Sequence, residues 1–138
     1  MILNLSDLSN EPLQSQIVRQ VRAMILSGDL EAGANLPSIR GLARDERVSV
    51  ITVQRAYESL EREGLIHSRR GKGFFVSEIS STNKKEMALN RLKDGLAPPI
   101  QAAVAEGLSN EEIQSIVDDV LDQHDQGQNL TNRDKGNQ

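Results

Sequence analysis

A mainly α-helical chain with one small β wing is the fold class that the sequence predicts, and three observations predict it. Apolar residues recur at helical spacing in most segments from Leu13 to Leu121. Helix-starting serines (Ser38, Ser49, Ser109) and helix-ending glycines (Gly28, Gly64, Gly107) punctuate those segments. One stretch, residues 66–77, breaks the helical period: two short β-prone runs flank Arg70-Gly71-Lys72-Gly73. Together these predict an N-terminal winged helix-turn-helix over residues 11–79. A helical dimerisation segment follows over 84–126, and a polar, disordered tail over 127–138.

The bulk numbers exclude several classes. The chain has 138 residues and no cysteine, so disulfides and thiolate chemistry are absent. His67 and His124 lie far apart with no ligand partners nearby in sequence, which leaves no metal site. Apolar runs fall short of the ~18 residues of a membrane span, and the N-terminus lacks the pattern of a signal peptide. The expected location is the cytoplasm. Tyr57, Phe74 and Phe75 are the only aromatics, so the core is aliphatic and a stacking surface for single strands is not expected.

The net charge of −4 argues against a polyanionic partner until it is divided. Residues 38–76 carry eight basic side chains (Arg40, Arg44, Arg47, Arg55, Arg62, Arg69, Arg70, Lys72) against five acidic ones (Asp45, Glu46, Glu58, Glu61, Glu63). The surplus acid lies after residue 79. A local basic surface can therefore face phosphates on an acidic chain.

In order, residues 1–10 read as an extended polar lead-in. Pro12 suits a first helical turn. Leu13, Ile17, Val21, Met24 and Ile25 then mark a helix that Gly28 ends. Residues 29–36 form a turn around Gly33, where a short strand is possible. Ser38 caps a short helix over about 39–45, with Ile39, Leu42 and Ala43 facing inward. After a brief turn, Ser49 caps a helix over about 50–63 whose inward face is Val53, Ala56, Tyr57 and Leu60. Gly64 closes it.

Two helices joined by so short a turn make a helix-turn-helix, whose second helix presents its N-terminal residues to base edges. Those residues are Val50, Ile51, Thr52, Gln54 and Arg55. The apolar pair Val50 and Ile51 suits thymine methyls; Gln54 matches adenine; Arg55 can reach guanine or a phosphate. By itself this set also describes an ordinary solvated helix face. The ribbon that follows, with strands over 66–69 and 74–77, adds weight. Arg69, Arg70 and Lys72 crowd its glycine-rich tip, with no carboxylate between Glu63 and Glu78. The Gly-Lys-Gly tip lacks the spacing and following helix of a nucleotide phosphate loop.

Residues 11–79 resemble the N-terminal winged-helix domain of the GntR family of bacterial transcription regulators. The resemblance rests on LPSIRGLA (36–43), VSVITVQRAYESLEREGLI (48–66) and RRGKGFFV (69–76), in that order and spacing. It implies DNA contacts from the arginine of the first motif, the start of the recognition helix and the wing tip. Carried over, these are Arg40, Ser49, Thr52, Gln54, Arg55, Gly71, Lys72 and Gly73. Two departures stand out: Ile39 where many members have glutamate, and Val50 where many have arginine. The second reduces the expected guanine contacts.

The C-terminal third opens with a polar linker over 77–83. From Lys84 a helical pattern runs through Met87, Leu89, Leu92, Leu96, Ile100 and Val104. Pro98 and Pro99 predict a kink or break at Ala97. Ser109 and Glu112 make a capping box. Ile113, Ile116, Val117, Val120 and Leu121 continue as one stripe. Asp118, Asp119, Asp122 and Asp125 make the other face acidic, in a spacing that reads as solvated rather than calcium-binding. Two helices with one apolar stripe each need a further surface, and a second copy of the chain supplies it. Leu92, Leu96, Ile100, Ile113, Ile116, Val117, Val120 and Leu121 are the predicted dimerisation residues. A two-fold dimer sets two recognition helices about one DNA turn apart (~34 Å) on a near-palindrome.

The short two-helix tail resembles the YtrA-like subgroup of the GntR family. That implies a repressor acting at a transporter operon, without the larger effector domains of other subgroups. The partners expected are a double-stranded DNA operator, a second copy of the chain and an unidentified small-molecule effector, with no cofactor and no membrane. A protein-interaction module built on a winged helix is the alternative. An enzyme is not expected, because the sequence offers no nucleophile–base pair, metal cluster or phosphate loop.

Overall fold

Ile17, Val21 and Ile25 recur every four residues and are fully buried, which fixes helix α1, Leu13–Ser27, against the core. The computed structural model describes residues 1–135. After α1 come α2 (Ile39–Glu46), α3 (Val50–Arg62), strands β1 (Ile66–Arg69) and β2 (Gly73–Val76), α4 (Ser81–Ala105) and α5 (Asn110–Lys135). Two compact units divide the chain, Met1–Ala88 and the residues from Leu89 onward.

The core of the first unit is aliphatic apart from Tyr57. Leu42 and Ala43 of α2, Val53, Ala56 and Leu60 of α3, and Leu65, Ile66 and Val76 around the ribbon close on the face of α1. Helices α2 and α3 begin where their serines dictate. The Ser38 and Ser49 hydroxyls accept from the Gly41 and Thr52 amides, at 3.0 Å each. Gly28 and Gly64 take left-handed backbone after α1 and α3.

Strands β1 and β2 pair antiparallel, with Ile66 opposite Val76 and Arg69 opposite Gly73. The turn segment before α2 joins this ribbon. Gly33 and Leu36 donate to the Val76 and Phe74 carbonyls at 2.8 and 2.9 Å, and Asn35 bridges Phe75.

Three polar contacts position these elements beyond the core. Tyr57, 1% exposed, donates from its hydroxyl to the Pro37 carbonyl at 2.7 Å. Its ring meets Phe74 edge-on at 5.0 Å. Arg22, buried on α1, makes a two-pronged pair with Glu63 at the end of α3, both bonds at 3.0 Å. Gln16, buried on α1, accepts from the Ser6 amide and donates to the Ser6 and Glu11 carbonyls. Gln20 does the same for Asn4. The lead-in is thus stapled to α1 and buries Leu3.

Two expectations for the C-terminal part are corrected and a third is narrowed. The linker ends earlier than expected: Ser80 accepts from the Asn83 amide at 3.1 Å, so α4 starts at Ser81. Of the kink or break expected at Ala97, the break does not occur: α4 runs through Pro98 and Pro99 to Ala105. The missing N–H groups would have served the Asp94 and Gly95 carbonyls, which lie on an exposed stretch where water can serve them instead. The apolar spacing from Leu92 through Leu96 to Ile100 runs across the prolines and favours one continuous helix. Residues 127–135, expected to be disordered, extend α5 to Lys135. Once α5 is nucleated, each added residue gains a hydrogen bond without a new nucleation cost. Residues 136–138 lie outside the described residues. The capping box forms as expected: Ser109 and Glu112 exchange hydrogen bonds at 3.0 and 3.2 Å. The Ser109 amide, then its hydroxyl, holds the Glu112 carboxyl below its ordinary pKa.

Two tests follow from this packing. Burial raises the Tyr57 phenol pKa well above its ordinary value of ~10. The folded state therefore keeps a proton that the unfolded state releases. This contribution to stability is intact below pH ~10 and is lost as pH rises further, at up to ~1.4 kcal/mol per pH unit. The chain has one tyrosine and no tryptophan, so tyrosinate absorbance reports Tyr57 alone. It is expected to appear together with the loss of helical circular dichroism; ionisation near pH ~10 with the helices intact would contradict the burial. Ser49→Ala removes the cap of α3 and is expected to cost about 1 kcal/mol, seen as a lower urea midpoint at unchanged slope.

Candidate nucleic-acid interface

Ser49 starts α3 and orders its first turn. Its hydroxyl takes the Thr52 amide and also bonds the Thr52 hydroxyl at 2.7 Å. Those polar atoms are engaged with each other, and Thr52 is half-buried. What the first turn shows to solvent is hydrocarbon: Val50 is 45% exposed and Ile51 55%. One turn on, Gln54 and Arg55 are exposed on the neighbouring positions of the same face. Gln54 donates to Glu58 at 3.3 Å, a weak surface bond that a base edge can displace. Arg55 has no side-chain hydrogen bond or ion pair among the described residues.

Arg40 is the second residue of α2 and is exposed, also without an ion pair among the described residues. The Tyr57–Pro37 bond fixes the entry to α2 relative to α3, and so fixes where Arg40 emerges. The turn between the two helices holds a residue that the sequence reading passed over. Arg47 sits in left-handed backbone at φ 56°, the one non-glycine residue with positive φ among those described.

The ribbon supplies the remaining candidates. Gly71 (φ 75°) and Gly73 (φ 102°) carry the tight turn, and Lys72 donates from its amide to the Arg69 carbonyl at 2.9 Å. Arg70 and Lys72 are exposed at the tip. Arg69 behaves differently from its neighbours. Its guanidinium lies over the Phe75 ring, 5.2 Å from the centroid, and His67 stacks on the same ring at 6.1 Å. Arg69 is therefore partly fixed, whereas Arg70 and Lys72 have no such anchor. Cross-strand aromatic contact of this kind is not visible in a charge count.

The structure thus gathers Ser49, Val50, Thr52, Gln54 and Arg55 on the first two turns of α3, and Arg69, Arg70, Gly71, Lys72 and Gly73 at the ribbon tip. Arg40 stands at the start of α2. No group of three or more potential metal ligands occurs among the described residues. No helix among them is long and apolar enough to cross a membrane.

The second unit carries a separate feature. An apolar groove of ≈ 420 Å³ runs between α4 and α5. All eight predicted dimerisation residues line it: Leu92, Leu96 and Ile100 from α4, and Ile113, Ile116, Val117, Val120 and Leu121 from α5. Four of them, Leu92, Ile116, Val120 and Leu121, are more than half exposed, so these stripes remain partly open to solvent in the single chain.

Comparison with known proteins agrees with this architecture. Residues 13–76 match the family model "Bacterial regulatory proteins, gntR family". The chain is 33% identical over 112 residues to the HTH-type transcriptional repressor YtrA of Bacillus subtilis, covering 81% of this chain and 86% of that one. A GntR family transcriptional regulator from Listeria monocytogenes has a similar structure, with a TM-score of 0.67 at 30% identity over 83% of this chain and 98% of that one. YtrA from Sulfolobus acidocaldarius, a GntR-family transcription factor, gives a TM-score of 0.54 at 31% identity over 68% and 99%. The likeness extends beyond the matched domain into the C-terminal helices, and with it the chain belongs to the gntR family of bacterial regulatory proteins.

Proposed function

We propose that the chain is a dimeric, sequence-specific repressor that binds a near-palindromic DNA operator. One observation carries the reading. The first turns of α3 present exposed Val50 and Ile51 beside an unpaired Arg55, in the basic part of an otherwise acidic chain. A hydrocarbon tip next to a cation is costly in water and fits a major-groove floor, with thymine methyls under Val50 and Ile51. Gln54 reads adenine and Arg55 guanine on the same face. Arg40, Ser49 and Thr52 position the helix on the backbone. Arg69, Arg70, Gly71, Lys72 and Gly73 hold the wing on adjacent phosphates.

In this reading residues 11–79 bind DNA and residues 84–126 dimerise. A second copy covers the groove between α4 and α5, which sets the distance between the two recognition helices. The repressor role is supported by the likeness to YtrA of Bacillus subtilis, described as a transcriptional repressor. The site of action is the cytoplasm, where the operator is. An effector that changed the pairing of the two copies would change the spacing of the recognition helices and release the operator.

Selection from random duplexes tests the reading. It is expected to enrich two inverted half-sites about one helical turn apart; enrichment of no motif leaves the interaction-module alternative. On the enriched site Arg55→Ala is expected to cost ~1–3 kcal/mol and to relax one base position. Lys72→Ala weakens all sequences alike and lowers the salt slope by about 1. For the dimer, Ile116→Asp is expected to give monomers in sedimentation equilibrium with the helical content retained. A dimer that survives this change contradicts the groove as the interface.

A further inference from the structure

We propose that Arg47, in the turn between α2 and α3, is a DNA-phosphate anchor retained there at the expense of fold stability. The inference rests on the operator-binding reading above and adds a contact residue to it.

Among the described residues, three helix ends are closed by the same pair of hydrogen bonds. After α3, Gly64 donates to the Glu61 carbonyl and Leu65 to Leu60; after α4, Gly107 donates to Val104 and Leu108 to Ala103. After α2, Arg47 donates to the Arg44 carbonyl at 3.3 Å and Val48 to Ala43 at 3.0 Å. Such a turn requires left-handed backbone at the residue just past the helix, a place that glycine fills without steric cost. Gly64 and Gly107 fill it at φ 77° and 95°. At α2 the same place is held by an arginine at φ 56°. The turn itself cannot be relaxed, because Val48 must return toward the core and Ser49 must cap α3 two residues later.

Among the described residues nothing accounts for an arginine here. Its side chain is exposed and engages no other side chain among the described residues. Attraction to the negative end of α2 is offset by repulsion from the positive end of α3, which begins three residues on. Arg44 already supplies a cation in the last turn of α2. A phosphate at the groove edge reverses this balance. In the helix-turn-helix docking geometry the first helix crosses the backbone and the second enters the groove by its N-terminal residues, which carries the turn between them past the backbone at the groove edge. There the end of α3 and the guanidinium attract the same anion.

The test is Arg47→Gly in the full chain, with Arg47→Lys as the charge-preserving control. Stability is read by thermal unfolding. Binding to the selected duplex and to a shuffled one is read across a salt series. The glycine variant is expected to raise Tm by a few degrees, to bind both duplexes several-fold more weakly by the same factor, and to lower the salt slope by about 1. The lysine variant should keep the wild-type slope without the gain in Tm. A glycine variant with wild-type affinity and salt slope would overturn the proposal, as would one that gains no stability. If wild-type protein selects no sequence and shows no salt-dependent binding, the operator reading itself has failed, an outcome distinct from either of these.

Discussion

The Tyr57 hydroxyl and ring tie together three parts of the DNA-facing unit. The hydroxyl donates to the carbonyl of Pro37, one residue before the cap of α2. The ring meets Phe74 on the inner face of β2. Tyr57 itself sits in the middle of α3, so one side chain links the supporting helix, the recognition helix and the wing. In an otherwise aliphatic core these directional contacts supply register that non-directional apolar packing does not. The far end of α3 is fixed separately by the Arg22–Glu63 pair. With its middle and far end held from behind and its first turn ordered by the Ser49 cap, α3 offers its outward face in one orientation.

The charge distribution follows the same division of labour. Inward-facing polar groups, Gln16, Arg22 and Tyr57, each have a hydrogen-bonding partner. Outward-facing cations on the DNA-facing unit mostly do not. Arg40, Arg47, Arg55, Arg70 and Lys72 make no ion pair among the described residues, although acidic residues are more numerous than basic ones in the chain as a whole. Arg69 is intermediate, held on Phe75 while its charge stays exposed. Unpaired cations on a rigid frame are what a polyanion needs, since each contact with a phosphate releases a counterion.

Much of this was legible in the sequence. The helices of the first unit are marked by apolar period and by short-range caps, signals that lie within one or two turns of each other. The ribbon is marked by its glycines, and the exposed face of α3 by Val50 and Ile51 breaking the polar pattern. What was not legible depends on partners far along the chain or on context. Arg22 and Glu63 are 41 residues apart, and Gln16 and Gln20 recruit the lead-in by contacts that no local pattern encodes. Pro98 and Pro99 carry a strong local signal for a kink or a break, and the apolar spacing that continues across them was the signal that α4 runs on to Ala105. Arg47 was hidden for the opposite reason: the turn demanded positive φ, but the residue there was not glycine. The need for such a residue between two caps so closely spaced was the available signal.

The central claim is that α3 reads bases while the wing and the turn hold phosphates. The most direct measurement is the association constant for the selected duplex and for a shuffled duplex of equal length, each followed over a range of salt concentrations. Two steep, nearly parallel lines are predicted, with the selected duplex bound at least ~10³ times more tightly throughout. Coincident lines, steep or flat, would contradict the account.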